Sequence, residues 1–398
     1  MPQKKSPLSQ DEVNELLPLL KTNFHSFSPF TEYEADLGKK RFLYRTELKD
    51  AWVIQALASE LRLRATPATS RSVYSYIKGR GPHSALRRVT KKLREITRSP
   101  VYVIRRDIQN YTDSIPTHDA SPLWQQITSL FPEETLQKNL RGALRPTLSI
   151  SKNHGTRMNR VGIPMGLPLT PWIANLYLYP IDEWASSLSK DDLYLRYGDD
   201  ILYLTRTRER ANDFRNEFDI RLAKLGLNSK IEKEANLVLT SNGITDKRDR
   251  DEGYTPRSSF EYLGRRVLSS GHIGITGEKR SKLLREVRYR VRTVVDTHGQ
   301  KPGKLKLHEI PDPLGRAIFG TLQDLWSTKW RGSPRHALLS HEISHPGEWR
   351  SLRIDMLREA LKILTGSTHF YALRKHGWTK ILKNWGWEPI GLSKKKNV

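Results

Sequence analysis

The stretch Leu193-Tyr194-Leu195-Arg196-Tyr197-Gly198-Asp199-Asp200-Ile201-Leu202-Tyr203-Leu204-Thr205 decides how the chain is read. Leu193, Leu195 and Tyr197 alternate with more polar neighbours, the run pauses at Gly198-Asp199-Asp200, and Ile201 to Thr205 resumes it. Apolar runs on both sides of a Gly-Asp pair predict a β-hairpin whose tip carries two carboxylates. Upstream, Val101-Tyr102-Val103-Ile104 is a short apolar run that reads as a buried strand entering Asp107. Acids held on rigid strand ends at one sheet edge can share hard cations such as Mg²⁺, which prefer oxygen ligands. Two such ions about 4 Å apart would serve the attacking and leaving oxygens of nucleotidyl transfer. A Gly-Asp turn also occurs for backbone reasons alone, so by itself the hairpin leaves both a plain turn and a catalytic one open.

Composition narrows the field around that hairpin. The chain has 398 residues, enough for two or three domains' worth of polypeptide, and no cysteine. A disulfide framework, a Cys-type zinc finger and a disulfide-stapled mini-domain are excluded. The N-terminus lacks the apolar core of a signal peptide and no stretch approaches a membrane span, so a cytoplasmic protein without membrane contact is expected. Lys and Arg number 68 against 43 Asp and Glu, a net charge of +25, which points to a polyanionic partner. From Glu278 to Val398 the excess is +14, so the basic surface is densest at the C-terminal end, as expected of a region that tracks a phosphate backbone.

Further along the chain, Val13, Leu16, Leu17 and Leu20 have helical spacing, and residues 47–63 read as a second helix. A basic turn, Gly38 to Arg41, lies between them, and a Gly-rich turn from Lys78 to Pro82 precedes a basic helix through Leu93. A second hairpin is expected around Gly271 and Gly274. Beyond it, Leu284, Val287, Val291 and Val294 form an apolar helical stripe beside Lys282, Arg285, Arg288 and Arg292. A charged stripe is either solvated or faces nucleic acid. The Gly- and Pro-containing linker from His298 to Pro313 marks a boundary before a helical region holding six of the ten tryptophans.

Taken together, the motifs resemble those of the reverse transcriptases, in particular the bacterial group II intron-like lineage. Asp107 to Ile115 is similar to the first catalytic motif, and Tyr197-Gly198-Asp199-Asp200 to the second. Gly162 to Pro171 followed by Ala174-Asn175-Leu176-Tyr177-Leu178 resembles the template- and nucleotide-positioning motif. Gly226 to Lys233 looks like the motif with a lysine near pyrophosphate, Tyr262-Leu263-Gly264 like the primer grip, and Gly38 to Arg41 and Ser75 to Ala85 like the fingers motifs. The wording Gly162-Ile163-Pro164-Met165-Gly166-Leu167 is most like the abortive-infection and unknown-group enzymes associated with phage defence.

The resemblance implies an α+β right-hand polymerase with a basic helical C-terminal extension. The expected fingers take residues 1–104, the palm 105–267 with a fingers insertion around 121–160, the primer-grip end and start of the thumb 268–302, and the basic helical thumb and RNA-binding region 303–398. The implied activity is RNA-directed DNA synthesis from dNTPs on an RNA template, a dedicated non-coding RNA, giving a cDNA product in antiphage defence. Asp107, Asp199 and Asp200, with the Ile108 carbonyl, would hold two Mg²⁺ ions, or Mn²⁺ in their place, and Lys233 would be the general acid. Lys39, Lys40, Arg41 and Arg80 are placed to neutralise a triphosphate, while Tyr111, Thr112, Gly162, Met165 and Gly166 would line the nucleotide. Tyr262, Leu263, Gly264, Lys282, Arg285, Arg288 and Arg292 would contact nucleic acid.

Two departures from the family pattern bear on substrate choice. Met165 stands where members usually have glutamine, and Thr112 where they usually have an aromatic that excludes a ribose 2′-hydroxyl. An RNA-dependent RNA polymerase therefore remains a rival reading, supported by the Asp107 and Asp113 spacing. His341-Glu342-Ile343-Ser344-His345 also fits the zinc-protease pattern H-E-x-x-H, although Pro346 and Gly347 would end a helix at the second ligand. A non-catalytic RNA binder is the third alternative; the retained Asp107, Asp199 and Asp200 argue against it, since bare carboxylates repel RNA.

Overall fold

The computed structural model describes residues 9–36, 40–68, 70–96, 100–150, 155–158, 162–240, 246–306, 310–326 and 346–366. They fall into two compact units, one drawn from residues 1–85 and 98–257, the other from 86–97 and 258–398. In chain order the elements begin α1 (Gln10–Thr22), β1 (Phe30–Asp36), β2 (Lys40–Arg45), α2 (Leu48–Ala68), α3 (Pro82–Glu95) and β3 (Val101–Asp107). They continue α4 (Tyr111–Ser114), α5 (Pro122–Leu130), α6 (Glu134–Leu144), β4 (Thr147–Ile150), β5 (Gly155–Met158), α7 (Thr170–Tyr177) and α8 (Tyr179–Ser187). Next come β6 (Leu193–Tyr197), β7 (Asp200–Thr205), α9 (Arg208–Lys224), β8 (Ala235–Leu239), α10 (Lys247–Asp251) and β9 (Thr255–Arg257). The last are β10 (Ser259–Tyr262), β11 (Arg265–Leu268), β12 (Ile273–Gly274), α11 (Gly277–Thr297), α12 (Asp312–Trp326) and α13 (Pro346–Thr365).

The first unit is organised by a five-stranded sheet in the order β6-β7-β3-β8-β9, with β3 at its centre. A central strand covered on both faces must be apolar almost throughout, which is why Val101, Val103 and Ile104 run together and are buried. On one face α8 and α9 supply an aromatic stack: Phe214 lies flat on Tyr203 at 4.2 Å between ring centroids and on Trp184 at 5.4 Å. A second sheet, β2-β1-β4-β5, joins the hairpin β1-β2 to β4 in parallel, so β4 and β5 add two strands to the N-terminal hairpin. The expected helix of Val13, Leu16, Leu17 and Leu20 is α1; it is opened by a capping box in which Ser9 Oγ accepts from the Glu12 amide and Glu12 accepts from the Ser9 amide.

The second unit holds the three-stranded sheet β10-β11-β12 and the helices α11, α12 and α13. The hairpin expected around Gly271 is β11-β12, and a Cβ on Gly271 would lie 2.8 Å from the Thr90 carbonyl. In α11 Val287 and Val291 of the expected stripe are buried, but Leu283 and Val295 complete the buried face in place of Leu284 and Val294, which are half-buried. The helix packs against both α12 and α13, so its covered face is wider than a single stripe. Pro346 is the first residue of α13, where its missing N–H leaves no bond unmade, while His341 to His345 lie outside the described residues.

Candidate active site

Hairpin β6-β7 closes through a two-residue turn, since Tyr197 pairs with Asp200 and only Gly198 and Asp199 lie between. The first turn position needs a positive φ, and Gly198 supplies it at +65°. The neighbouring β3 runs antiparallel to β7 with Asp107 directly opposite Asp200. Beyond that pair the Ile108 amide donates to the Asp199 carbonyl at 3.3 Å, and the Lys230 amide donates to the Asp107 carbonyl at 2.7 Å. Three acids separated by up to 93 positions in sequence are thus gathered at one end of one sheet. Sheet register alone accomplishes this.

The electrostatics are those of crowded carboxylates. Burial pushes the Asp199 carboxyl above its ordinary range, and the negative charge of Asp107 pushes it further. Lys233, at the end of the 3₁₀ turn Ile231–Lys233, places its Nζ 2.5 Å from Asp107 Oδ2. Arg105, on β3, donates to Asp200 Oδ1 at 3.0 Å. Sequence reading overlooked Arg105; its signal was a cation two residues before an acid, on the same face of a strand. Among the described residues no three His, Cys, Asp or Glu side chains converge as a ready ligand set, and Asp107 and Asp200 are each paired with a cation. The donor chemistry nevertheless fits a divalent ion: Asp107 and Asp199 are all-oxygen ligands whose mutual repulsion an added positive charge relieves.

The loop from Gly162 to Leu169 is bonded to α4 and β2. The Gly162 amide donates to the Ile115 carbonyl at 3.0 Å, the Ile163 amide to Thr112 at 2.9 Å, and the Tyr44 amide to Met165 at 3.0 Å. Gly162 has φ +78°, and a Cβ there would sit 2.8 Å from the Asp113 carbonyl oxygen. Gly166 is exposed and also left-handed, at φ +90°. Arg41 is exposed on β2, and its positive charge opposes the rise that burial causes in the Asp113 carboxyl. The structure thereby brings Arg41, Thr112, Gly162, Met165 and Gly166 into one neighbourhood. Lys39 lies outside the described residues, and Lys40 begins β2.

Three expected contact residues are otherwise engaged. Tyr111 is buried, with its hydroxyl donating to the Ala174 carbonyl, so it braces α7 and presents no ring surface to a nucleotide. Arg80 Nη1 donates to the carbonyls of Ser70 and Val73 at 2.9 and 2.8 Å, which ties the loop before α3. Arg288, although exposed, is held by Glu359 of α13 through two bonds, and Lys282, Arg285 and Arg292 are exposed beside it on that α11 face. In the turn between β10 and β11, Tyr262 is buried while Leu263 and Gly264 both have positive φ, at 47° and 65°. Burial brings Arg265 down to about 10 and also lowers Lys279, whose charge the nearby Arg265 disfavours further.

Comparison with known proteins agrees with this architecture. A family model described as reverse transcriptase (RNA-dependent DNA polymerase) matches residues 37–267, more than half of the chain. An uncharacterized 91 kDa protein in a cob intron of Schizosaccharomyces pombe is 27% identical over 186 residues, 46% of this chain and 22% of that protein. The chain thus spans about a fifth of that relative's length. Apo telomerase from Candida tropicalis superposes with a TM-score of 0.50 at 12% identity, over 95% of this chain and 74% of that one. Telomerase from the same organism in complex with the TWJ fragment of telomeric RNA gives 0.49 at 13% identity, over 96% and 66%. The apo enzyme's likeness speaks for the right-hand polymerase fold alone. With the family model spanning both carboxylate motifs and the glycine loop, the chain belongs to the reverse transcriptase family.

Proposed function

We propose that the chain is an RNA-directed DNA polymerase that copies an RNA template into cDNA from dNTPs. The observation that carries this reading is the register of β3 and β7, which sets Asp107 against Asp200 with Asp199 at the adjoining hairpin tip. In this reading Asp107 and Asp199 are the metal ligands, with Asp200 and the Ile108 carbonyl beside them. Two bound Mg²⁺ ions, or Mn²⁺ in their place, would supply positive charge to the attacking 3′-hydroxyl and the departing pyrophosphate. Lys233 releases Asp107 and donates a proton to pyrophosphate; Arg41 faces the triphosphate, and the Gly162–Gly166 loop supports the nascent pair. In this reading residues 1–104 are the fingers, 105–267 the palm, 268–302 the primer-grip end and start of the thumb, and 303–398 the rest of the thumb, with 86–97 and 258–267 belonging to the second compact unit.

The template we propose is a dedicated non-coding RNA, and the role antiphage defence in a bacterial cytoplasm. The support is the wording of Gly162 to Leu167 and the net charge of +25. Among the described residues no helix is long and apolar enough to cross a membrane. Primer extension on an RNA template with dNTPs and Mg²⁺ tests the activity: synthesis should be lost in the combined Asp199→Ala and Asp200→Ala variant, and equal synthesis by that variant sinks the reading. Sequencing nucleic acid that co-purifies from the host identifies the template.

A second reading, tolerance of ribonucleotides, is favoured by one observation. The only aromatic beside Thr112 in α4 is Tyr111, and its hydroxyl is committed to Ala174 inside the core. Extension with NTPs in place of dNTPs decides between the two; strict rejection of NTPs removes this alternative.

A further inference from the structure

Arg196 lies in the otherwise apolar strand β6 and is completely buried. A guanidinium has five N–H donors, and all five are used. Nε and Nη2 grip Asp182 at 2.8 and 2.6 Å, Nη1 and Nη2 reach the Asn175 side-chain and backbone oxygens at 3.2 Å each, and Nη1 donates to the Gly198 carbonyl at 3.1 Å. The acceptors are themselves fixed. Tyr194 donates to Asp182 at 2.7 Å, and Ser75 and Asn175 exchange two bonds at 3.0 and 2.9 Å. Asp182, Asn175, Ser75 and Tyr194 are all at least nine-tenths buried.

A buried ion pair gives little net stability over apolar residues of the same shape, because desolvating two charges offsets their attraction. Stability alone therefore does not account for placing this pair in the core. The fifth bond does, since the Gly198 carbonyl belongs to the peptide that leads into Asp199. With Arg196 orienting that peptide and Ile108 holding the Asp199 carbonyl, the backbone of Asp199 is fixed on both sides. We propose that Arg196, locked by Asp182 and Asn175, is a positioning residue that sets the direction of the Asp199 carboxylate; this rests on the polymerase reading of the site. Lysine cannot replace it, since a single ammonium cannot satisfy a bidentate carboxylate and a carbonyl on the far side of the fork.

The test compares wild type, Arg196→Lys, and the combined Arg196→Met and Asp182→Leu variant, which removes both buried charges together. Single-nucleotide primer extension and hydrogen exchange across residues 197–200 are measured where circular dichroism shows each protein folded. The expected result is a kcat lowered about 10²-fold with the nucleotide KM near wild type, the signature of a displaced catalytic group. Faster exchange should be confined to the hairpin tip. Wild-type kcat in either folded variant overturns the proposal, and so does loss of fold in both, which assigns the pair to folding alone. A wild-type chain that extends no primer refutes the polymerase reading instead. The exchange rates then still decide whether Arg196 holds the tip.

Discussion

Gly162 offers a quantitative test of how tightly the nucleotide-side loop is packed. Its φ of +78° costs an alanine about 1–2 kcal/mol, the ordinary penalty for an L residue in the left-handed region. The added Cβ would also lie 2.8, 2.9 and 3.1 Å from the O, Cα and C atoms of Asp113, all backbone and none able to rotate away. Forcing that segment of α4 aside adds about 1–3 kcal/mol, typical of overpacking. Gly198 is the matched control: its φ is +65°, yet a Cβ there meets nothing within 4 Å. For a unit of this size about 1 kcal/mol shifts the thermal midpoint by about 2–4 °C. Gly162→Ala should therefore lower the midpoint by on the order of 10 °C and Gly198→Ala by roughly 5 °C, followed by far-ultraviolet circular dichroism. Equal losses would refute the reasoning, because the approach to Asp113 would then contribute nothing.

Other outcomes follow from individual contacts. Lys233→Ala should slow single-turnover incorporation by about 10²-fold or more if this lysine is the general acid; an unchanged rate removes it from that role. Arg64 binds Glu133 through two bonds of 2.7 and 2.8 Å and holds its carboxyl down at about 2, below the ordinary 4.5. Because the folded value is the lower one, this contribution is complete above the unfolded value and is lost as pH falls toward the folded one. The gap in urea midpoint between wild type and Glu133→Gln should thus narrow steadily from about pH 6 to about pH 3, and a constant gap counts against the pair. On α11, Arg285→Ala should weaken RNA binding and reduce the salt dependence by about one charge, whereas Arg288→Ala, whose partner is Glu359, should mainly change stability. Identical RNA affinities for the two variants would contradict the assignment.

The carboxylates were legible in the residue string because the features that position them are local. Alternation sets the strands, Gly198 sets the turn, and a buried apolar run delivers Asp107 to a strand end. The glycine loop was legible for a related reason, since Gly162 has no substitute at its contact with Asp113. Side-chain commitments were not legible. Arg80, Arg288 and Tyr111 look like ligand-facing residues in one dimension, and each is bonded elsewhere: to Ser70 and Val73, to Glu359, and to Ala174. Conversely, the residue string assigned no role to Arg105 or Arg196, yet one grips Asp200 and the other the Gly198 peptide.

The division has a physical basis. Backbone periodicity, turn conformation and strand order depend on neighbours within a few residues, so family, fold and the acidic pair at the hairpin tip could be read from the chain alone. A charged side chain's role depends on which acceptor lies within about 3 Å of it after packing. For Arg196 that acceptor set comes from the separate segments carrying Asn175, Asp182 and Gly198. Only the folded core brings those segments together, because burial forces each polar group to find a partner there.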